Sequence, residues 1–409
     1  MSVMNTSLSG MLGNTNWLST IAQNVANANT VGYKTVTTNF AALVDSAVDI
    51  NAEYAGVRAT TTALNGLQGQ NMQSNVTTDL AVQGAGFFIV EDTTGNILLT
   101  RNGSFVPDKS GNLINSAGYY LLGAPYGQQG VSVNSLSSLG KVNVANGGDS
   151  SIPSTTATLV ANLPSTANTV TSGTPASGGS NFTAETSVVA YDNLGTSHTL
   201  NIYFTKTGTG TWEADVYDAS TAAVGGGFPY SSGPLATQTL NFSGTDGKMT
   251  SGSPLTLTVP NGQTLTVDLS QTTQLAANFG VSSAQINGNS PGSITDISVG
   301  QDGTLSFIYN NGSVTPVFRI PLAKVAAPDN MKSVLGDAFQ PNLNSGAPQV
   351  GLAGTGALGV IDSSSLEQST VDLATELTAM VQAQSSYEAN SKVFQAGAKI
   401  LDVLNNMQP

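Results

Sequence analysis

A chain of 409 residues is long enough for two to four domains with cores of ordinary size. Only 9% of its residues are charged, against about 25% in ordinary soluble proteins, and a net charge of −13 argues against partners that need basic patches, nucleic acid and anionic membranes alike. With no cysteine, disulfides, thiolate catalysis and thiolate metal sites are excluded.

The first 28 residues carry no charged side chain. Met4, Leu8, Met11, Thr15, Leu18, Ala22 and Val25 step by four and three, the spacing of a coiled-coil seam. Lysines on the polar face, usual in a helix lying on a membrane, are missing. No apolar run approaches the roughly 20 residues of a membrane span, and no charged n-region precedes a continuous apolar stretch. From composition alone the expectation is a cytoplasmic protein. Ala26 to Lys34, with Asn27, Asn29, Thr30 and Gly32, reads as a helix stop. Residues 35–78 read as irregular with short strands.

Strand signals follow at Phe87–Val90, Ile97–Thr100 and Tyr119–Leu122, with Asn102-Gly103 as a hairpin-turn dipeptide. Residues 146–181, rich in Ser, Thr, Gly, Asn and Pro, read as linker. Residues 184–295 read as a second all-β unit, with Leu255, Leu257 and Val259 turning at Asn261-Gly262 to Leu265, Val267 and Leu269. Alternation at Leu305, Phe307 and Tyr309 marks a returning strand, and Pro316 an edge position. From Leu366 to Leu404 a long helix is expected, with Leu366, Leu373, Leu377, Met380, Tyr387, Phe394 and Leu401 on its seam and Ser364 with Glu367 as its capping box.

The fold class is therefore mixed, mainly β with long terminal helices: the N- and C-terminal helices pair in a coiled coil, followed by nested all-β domains. The expected division is a helical domain (1–28 plus 366–409), a connector (29–78 plus 346–365), an inner β domain (79–145 plus 296–345) and an inserted outer β domain (146–295).

Chemistry is hard to find. The single histidine, His198, has no strained serine elbow to serve, and Asp192, Asp215 and Asp218 are explained by turns or surface. Gly354 to Gly359 matches a dinucleotide-binding fingerprint in letters but lacks the strand, helix and parallel sheet that the mechanism requires. No catalytic residue, metal or cofactor is expected.

Seams at both ends, Ala26 to Lys34, Asp79 to Val90, Thr100 to Phe105 and Val371 to Lys392 together resemble the bacterial flagellar rod and hook family. Val189 to Gly195 with His198 resembles the middle region of its hook branch, and the roughly 150-residue insertion favours that branch over the rod branch. Ser385 stands where the family commonly has arginine. The resemblance implies a homopolymer outside the cell: a curved, bendable tube acting as a joint between rod and filament. It also implies export by the flagellar secretion apparatus without signal cleavage, which overrides the cytoplasmic reading. Distal rod, hook cap and hook–filament junction proteins are its implied partners. In that setting the seam residues Met4, Leu8, Met11, Leu18 and Val25, with those from Leu366 to Leu401, would pack between subunits.

Overall fold

The computed structural model describes residues 2–44, 54–127, 135–145 and 147–406. Two compact units emerge: Met1–Asn146 with Asp296–Phe307 and Thr315–Pro409, and Gly147–Thr295 with Ile308–Val314. The chain is mainly β, with one long helix near each terminus.

In the first unit, helix α1 spans Ser2–Ala26 and helix α2 spans Leu373–Asn406. The second helix starts seven residues later than the seam spacing suggests. Asp372 is its true cap, its Oδ1 accepting from the backbone N–H of Ala374 at 2.9 Å. Ser364 has φ +53° and caps nothing; Leu366 lies in the short strand Ser365–Glu367, paired with Asn71–Gln73. The stretch expected to be irregular with short strands holds a long ribbon, Val36–Val44 against Tyr54–Ala63, with Val36 opposite Ala63 and Leu43 opposite Gly56. Its Thr- and Ala-rich strands are exposed or half-buried along nearly their whole length, so no apolar alternation announces them.

The β core of this unit centres on Phe87–Glu91, flanked by Ile97–Thr100 and Tyr120–Pro125 and joined by Pro321–Lys324. Phe87, Ile89, Leu99, Leu122, Ala323 and Phe339 fill its interior. Asn102-Gly103 is not a hairpin turn. Gly103 passes so close to Leu80 that a Cβ would lie 1.8 Å from the Leu80 carbonyl oxygen, while its own oxygen accepts from Leu80 N–H. Pro316 is not at an edge: its strand, Val314–Arg319, lies between Thr304–Tyr309 and Tyr120–Pro125 in the sheet, with Phe318 and Arg319 paired to the latter.

The second unit packs two five-stranded sheets around Trp212, Phe204, Leu240, Leu257 and Leu265. The supposed linker contributes its central strand, Thr156–Pro164, whose Ala157, Leu159 and Leu163 point into the core. That strand runs parallel to Thr264–Asp268 and Thr273–Leu275, so a parallel pairing exists where none was expected. Asn261, at φ +54°, turns the antiparallel pair Leu255–Thr258 and Thr264–Asp268 as its dipeptide foretold.

Candidate functional site: the terminal helices and the ion node beneath them

An uncharged polar helix must satisfy its own side chains. In α1 they bond back to the preceding turn: Asn14 Nδ2 donates to Gly10 O (2.9 Å), Thr15 to Met11 O and Thr20 to Asn16 O. This frees small and polar residues to sit at a close helix–helix contact. Ser7, Asn14, Ile21 and Asn24 are buried, while Thr20 is buried on the ribbon side, its Oγ1 accepting from Thr38 Oγ1 at 3.0 Å. Across from them on α2 lie Glu376, Ala383, Asn390 and Gly397. A Cβ on Gly10 would lie 2.8 Å from Asn390 Oδ1, and one on Gly397 would lie 3.0 Å from Met4 Cγ. Asn24 Nδ2 donates to Glu376 Oε1 at 2.8 Å. Residue numbers rise along one helix as they fall along the other, so the two run antiparallel.

The buried face is thus displaced by one residue from the apolar stripe read in the sequence. Leu8 is 44% exposed, Leu377 54% and Tyr387 40%; Leu373 and Leu401 are exposed as well. Met4, Met11, Leu18, Val25, Met380 and Phe394 are half-buried. Leu12, Val381 and Ile400, which the stripe omitted, are exposed too, Leu12 to 60%. The ribbon covers another side of α1, with Trp17 and Phe40 edge to face at 5.8 Å.

Beneath the helices, the turn after α1 is tied to the chain's return. Ala26 ends the helix, Asn27 Nδ2 donates back to Gln23 O while its Oδ1 accepts from Thr30 Oγ1, and Asn29 is exposed. Gly32 has φ +75° and lies where a Cβ would be 2.6 Å from Asn102 N; its N–H donates to Glu367 O at 2.8 Å. Tyr33 Oη donates to Asn24 Oδ1 at 3.1 Å. Lys34 Nζ meets Glu367 Oε1 at 2.5 Å, and Arg101 Nη1 meets Glu367 Oε2 at 2.9 Å. The Glu367 side chain is 0% exposed, and Gly69 N–H adds a third bond at 2.7 Å.

Two buried cations therefore share one carboxylate. Burial pushes the Lys34 ammonium below its usual range, against the pull of Glu367. Burial raises the Glu376 carboxyl, opposed by the Asn24 bond, and raises the Tyr33 phenol. Sequence reading gave Glu367 a capping role and missed the parts played by Arg101, Asn24 and Glu376. Scarcity was the available signal: the chain has only 12 lysines and arginines in 409 residues, and Lys34 and Arg101 both fall inside the quoted motifs.

Elsewhere, His198 lies between two carboxylates, 3.6 Å from Asp192 Oδ2 and 3.7 Å from Asp218 Oδ2. Asp192 and Asp218 also organise their own turns, accepting from Thr196 N–H and Ser220 N–H. Asp215 is separate, buried and bonded by Thr237 Oγ1 at 2.8 Å, its carboxyl pushed up to about 6 by burial. Gly354 to Gly359 forms a closed turn, Gly354 N–H donating to Gly359 O, between strands Gln349–Leu352 and Val360–Ser363. None of these arrangements has a nucleophile, base and open cleft converging on one point. Among the described residues no helix is long and apolar enough to cross a membrane.

Four family models match along the chain: flagella basal body rod protein over 4–34, flagellar hook protein FlgE/F/G D1 domain over 81–159, flagellar basal body protein FlaE D2 domain over 162–289, and flagellar basal body rod FlgEFG protein C-terminal over 362–407. Flagellar hook protein FlgE of Brucella abortus is 41% identical over 415 residues, covering 99% of this chain and 98% of that protein.

The chain belongs to the flagellar hook protein family.

The hook protein of Rhizobium meliloti is 38% identical over 99% of this chain and 98% of its own, and that of Salmonella typhimurium 29% identical over 96% of each. The crystal structure of Helicobacter pylori flagellar hook protein FlgE2 covers 73% of this chain and all of its own, with a TM-score of 0.50 at 16% identity, a likeness of fold. The chain is accordingly a structural subunit of the flagellar hook, in the extracellular part of the flagellum.

Proposed function

We propose that this hook subunit polymerises into a curved tube whose terminal helices line the inside, and that the tube bends while passing torque from rod to filament. The observation that carries this reading is the outward apolar stripe. Leu8, Leu12, Leu377, Val381 and Tyr387 stay exposed after the two helices have packed. An exposed stripe of this length on a water-soluble chain calls for a partner. Two stripes on adjoining antiparallel helices suit coiled-coil packing among neighbouring copies. Head-to-tail contacts that do not close produce a helical filament, as a tube requires.

In this reading the helices form the inner layer, the ion node and ribbon a connector, the Phe87–Glu91 sheet an intermediate layer and the second unit the outside. The tube joins distal rod, cap and junction proteins at its ends, and its subunits leave the cell through the flagellar secretion apparatus. Electron microscopy tests it. Purified protein should give curved tubes, and a deletion strain should lack hooks and filaments. Short straight shafts would assign the chain to the rod instead, and a protein that stays monomeric at high concentration would refute both.

A further inference from the structure

In the second unit, strand Thr211–Asp218 turns Trp212, Ala214 and Val216 into the core, and strand Ser197–Gly208 does the same with Leu200, Ile202 and Phe204. Alternation sends Tyr217 and Tyr203 to the other face of that sheet. Register makes them diagonal neighbours, with Asn201 opposite Tyr217 and Tyr203 opposite Asp215, and their ring centroids are 6.1 Å apart. The chain then leaves the sheet and comes back at Leu235. Ser231 N–H donates to Thr221 O and Leu235 N–H to Val216 O, which hold this excursion in place. It lays a third tyrosine, Tyr230, over the first two. The Tyr230 ring stacks on Tyr217 with centroids 4.4 Å and planes 29° apart. Its hydroxyl shares a hydrogen bond with Tyr203 Oη at 2.8 Å and accepts one from Asn201 Nδ2 at 2.8 Å.

Packing explains aromatic rings beneath a loop, and Phe182 and Phe228 show that phenylalanine fits the same layer. It does not call for three phenols in mutual contact. The chain has 11 tyrosines. Among the described residues, every contact between two tyrosine rings falls within this triad. With no cysteine to be oxidised first, phenols are among the side chains that give up an electron most readily. The hook also lies outside the cell, beyond the thiol reductants of the cytoplasm.

We propose that the triad is an oxidative modification site, at which Tyr217 and Tyr230 of one chain join as dityrosine. Two equivalents of a one-electron oxidant take the two electrons. Tyr230 is half-buried and meets the oxidant first; the buried Tyr217 refills the Tyr230 radical across the stack, and a second oxidation leaves a radical on each ring. Each phenol also gives one proton to water, which reaches Tyr217 through a surface cavity of about 390 Å³ that Phe228 and Tyr230 also line. The radicals couple through the ring carbons ortho to their hydroxyls. The hydrogens on those carbons then shift to the oxygens, restoring both rings. One carbon–carbon bond has formed and two hydrogen atoms have left. Gly225, Gly226, Gly227 and Gly233, with open space where a Cβ would stand, let the excursion make the small shift that coupling needs. The new bond pins it to the sheet.

The test needs only dilute monomer, so it stands apart from the tubular reading. The protein is irradiated with tris(bipyridyl)ruthenium and persulfate, a small one-electron oxidant. Chains that stay monomeric should gain dityrosine fluorescence and lose the mass of two hydrogen atoms, and digestion should yield a peptide linked from 217 to 230. Tyr230→Phe and Tyr217→Phe should each cut the fluorescence several-fold, whereas Tyr191→Phe, outside the triad, should leave it unchanged. Circular dichroism before oxidation checks that each variant is folded. Urea supplies a comparison that needs no variant: oxidation of the unfolded parent should give a several-fold lower yield of the 217–230 link. Equal yields with and without urea, full fluorescence in both triad variants, a link mapped to other tyrosines, or links only between chains would each overturn the proposal.

Discussion

Glu367 holds two buried cations with one carboxylate, and this asymmetry makes a sharp prediction. Glu367→Gln strands both Lys34 and Arg101 and should destabilise the first unit by about 3–5 kcal/mol, the usual cost of leaving buried charge uncompensated. Lys34→Met leaves Arg101 and Glu367 paired one to one and should cost less than about 2 kcal/mol. Urea unfolding of each variant compares them; equal losses would show that Glu367 is not the hub. Asp215 supplies a pH test in the second unit. Its folded carboxyl sits at about 6, above the unfolded 3.8, so the folded state takes up a proton first as pH falls. The stability it contributes therefore grows as pH drops through 6 and is complete below about 4. Between pH 7 and 4.5 the second unit should gain about 1–2 kcal/mol, after discounting the shift for partial solvation. Asp215→Asn should flatten that gain, and a dependence surviving the substitution would place its origin elsewhere. The cluster around Glu367 was not legible because its members are 34, 101 and 367, and no local pattern joins them. Ser364 and Glu367 match a capping box in spacing, yet the carboxylate is claimed by distant cations.

At the scale of elements, both terminal helices were readable from their four-and-three spacing, and so were the alternating core strands around Phe87 and Leu257. What spacing could not show was which face turns inward. Large apolar side chains ordinarily mark the core side. Here small and polar residues, Gly10, Asn14, Ala383 and Gly397, let the two helices approach closely, and the large side chains are left outside. The strand Thr156–Pro164 hid in a stretch of linker-like composition for a related reason: its core residues include alanines, whose alternation with threonine is faint. The close approach makes Gly10 a test of the helix pair. Gly10→Leu drives a side chain into Asn390 and should separate α1 from α2. The expected result is lost polymerisation with unchanged unfolding of the second unit; normal tubes would show that the observed helix register is not the assembled one.

For the whole molecule, a division of labour follows. The sheets are self-sufficient, with buried cores of their own, whereas the helices leave most of their large apolar side chains outside in a single chain. Removing residues 1–28 should therefore leave a soluble, β-rich monomer that no longer polymerises, as circular dichroism and sedimentation would show. Tubes of normal appearance from that truncation would deny the N-terminal helix its role. Low charge fits the same picture at this scale, because surfaces built from Ser, Thr and Asn remake contacts during bending without breaking buried ion pairs. The central claim, that the outward stripe is covered only by sister copies, is tested most directly with Leu377→Cys in this cysteine-free chain. Maleimide should label it rapidly in dilute monomer and at least tenfold more slowly in assembled tubes; equal labelling in both states would contradict the account.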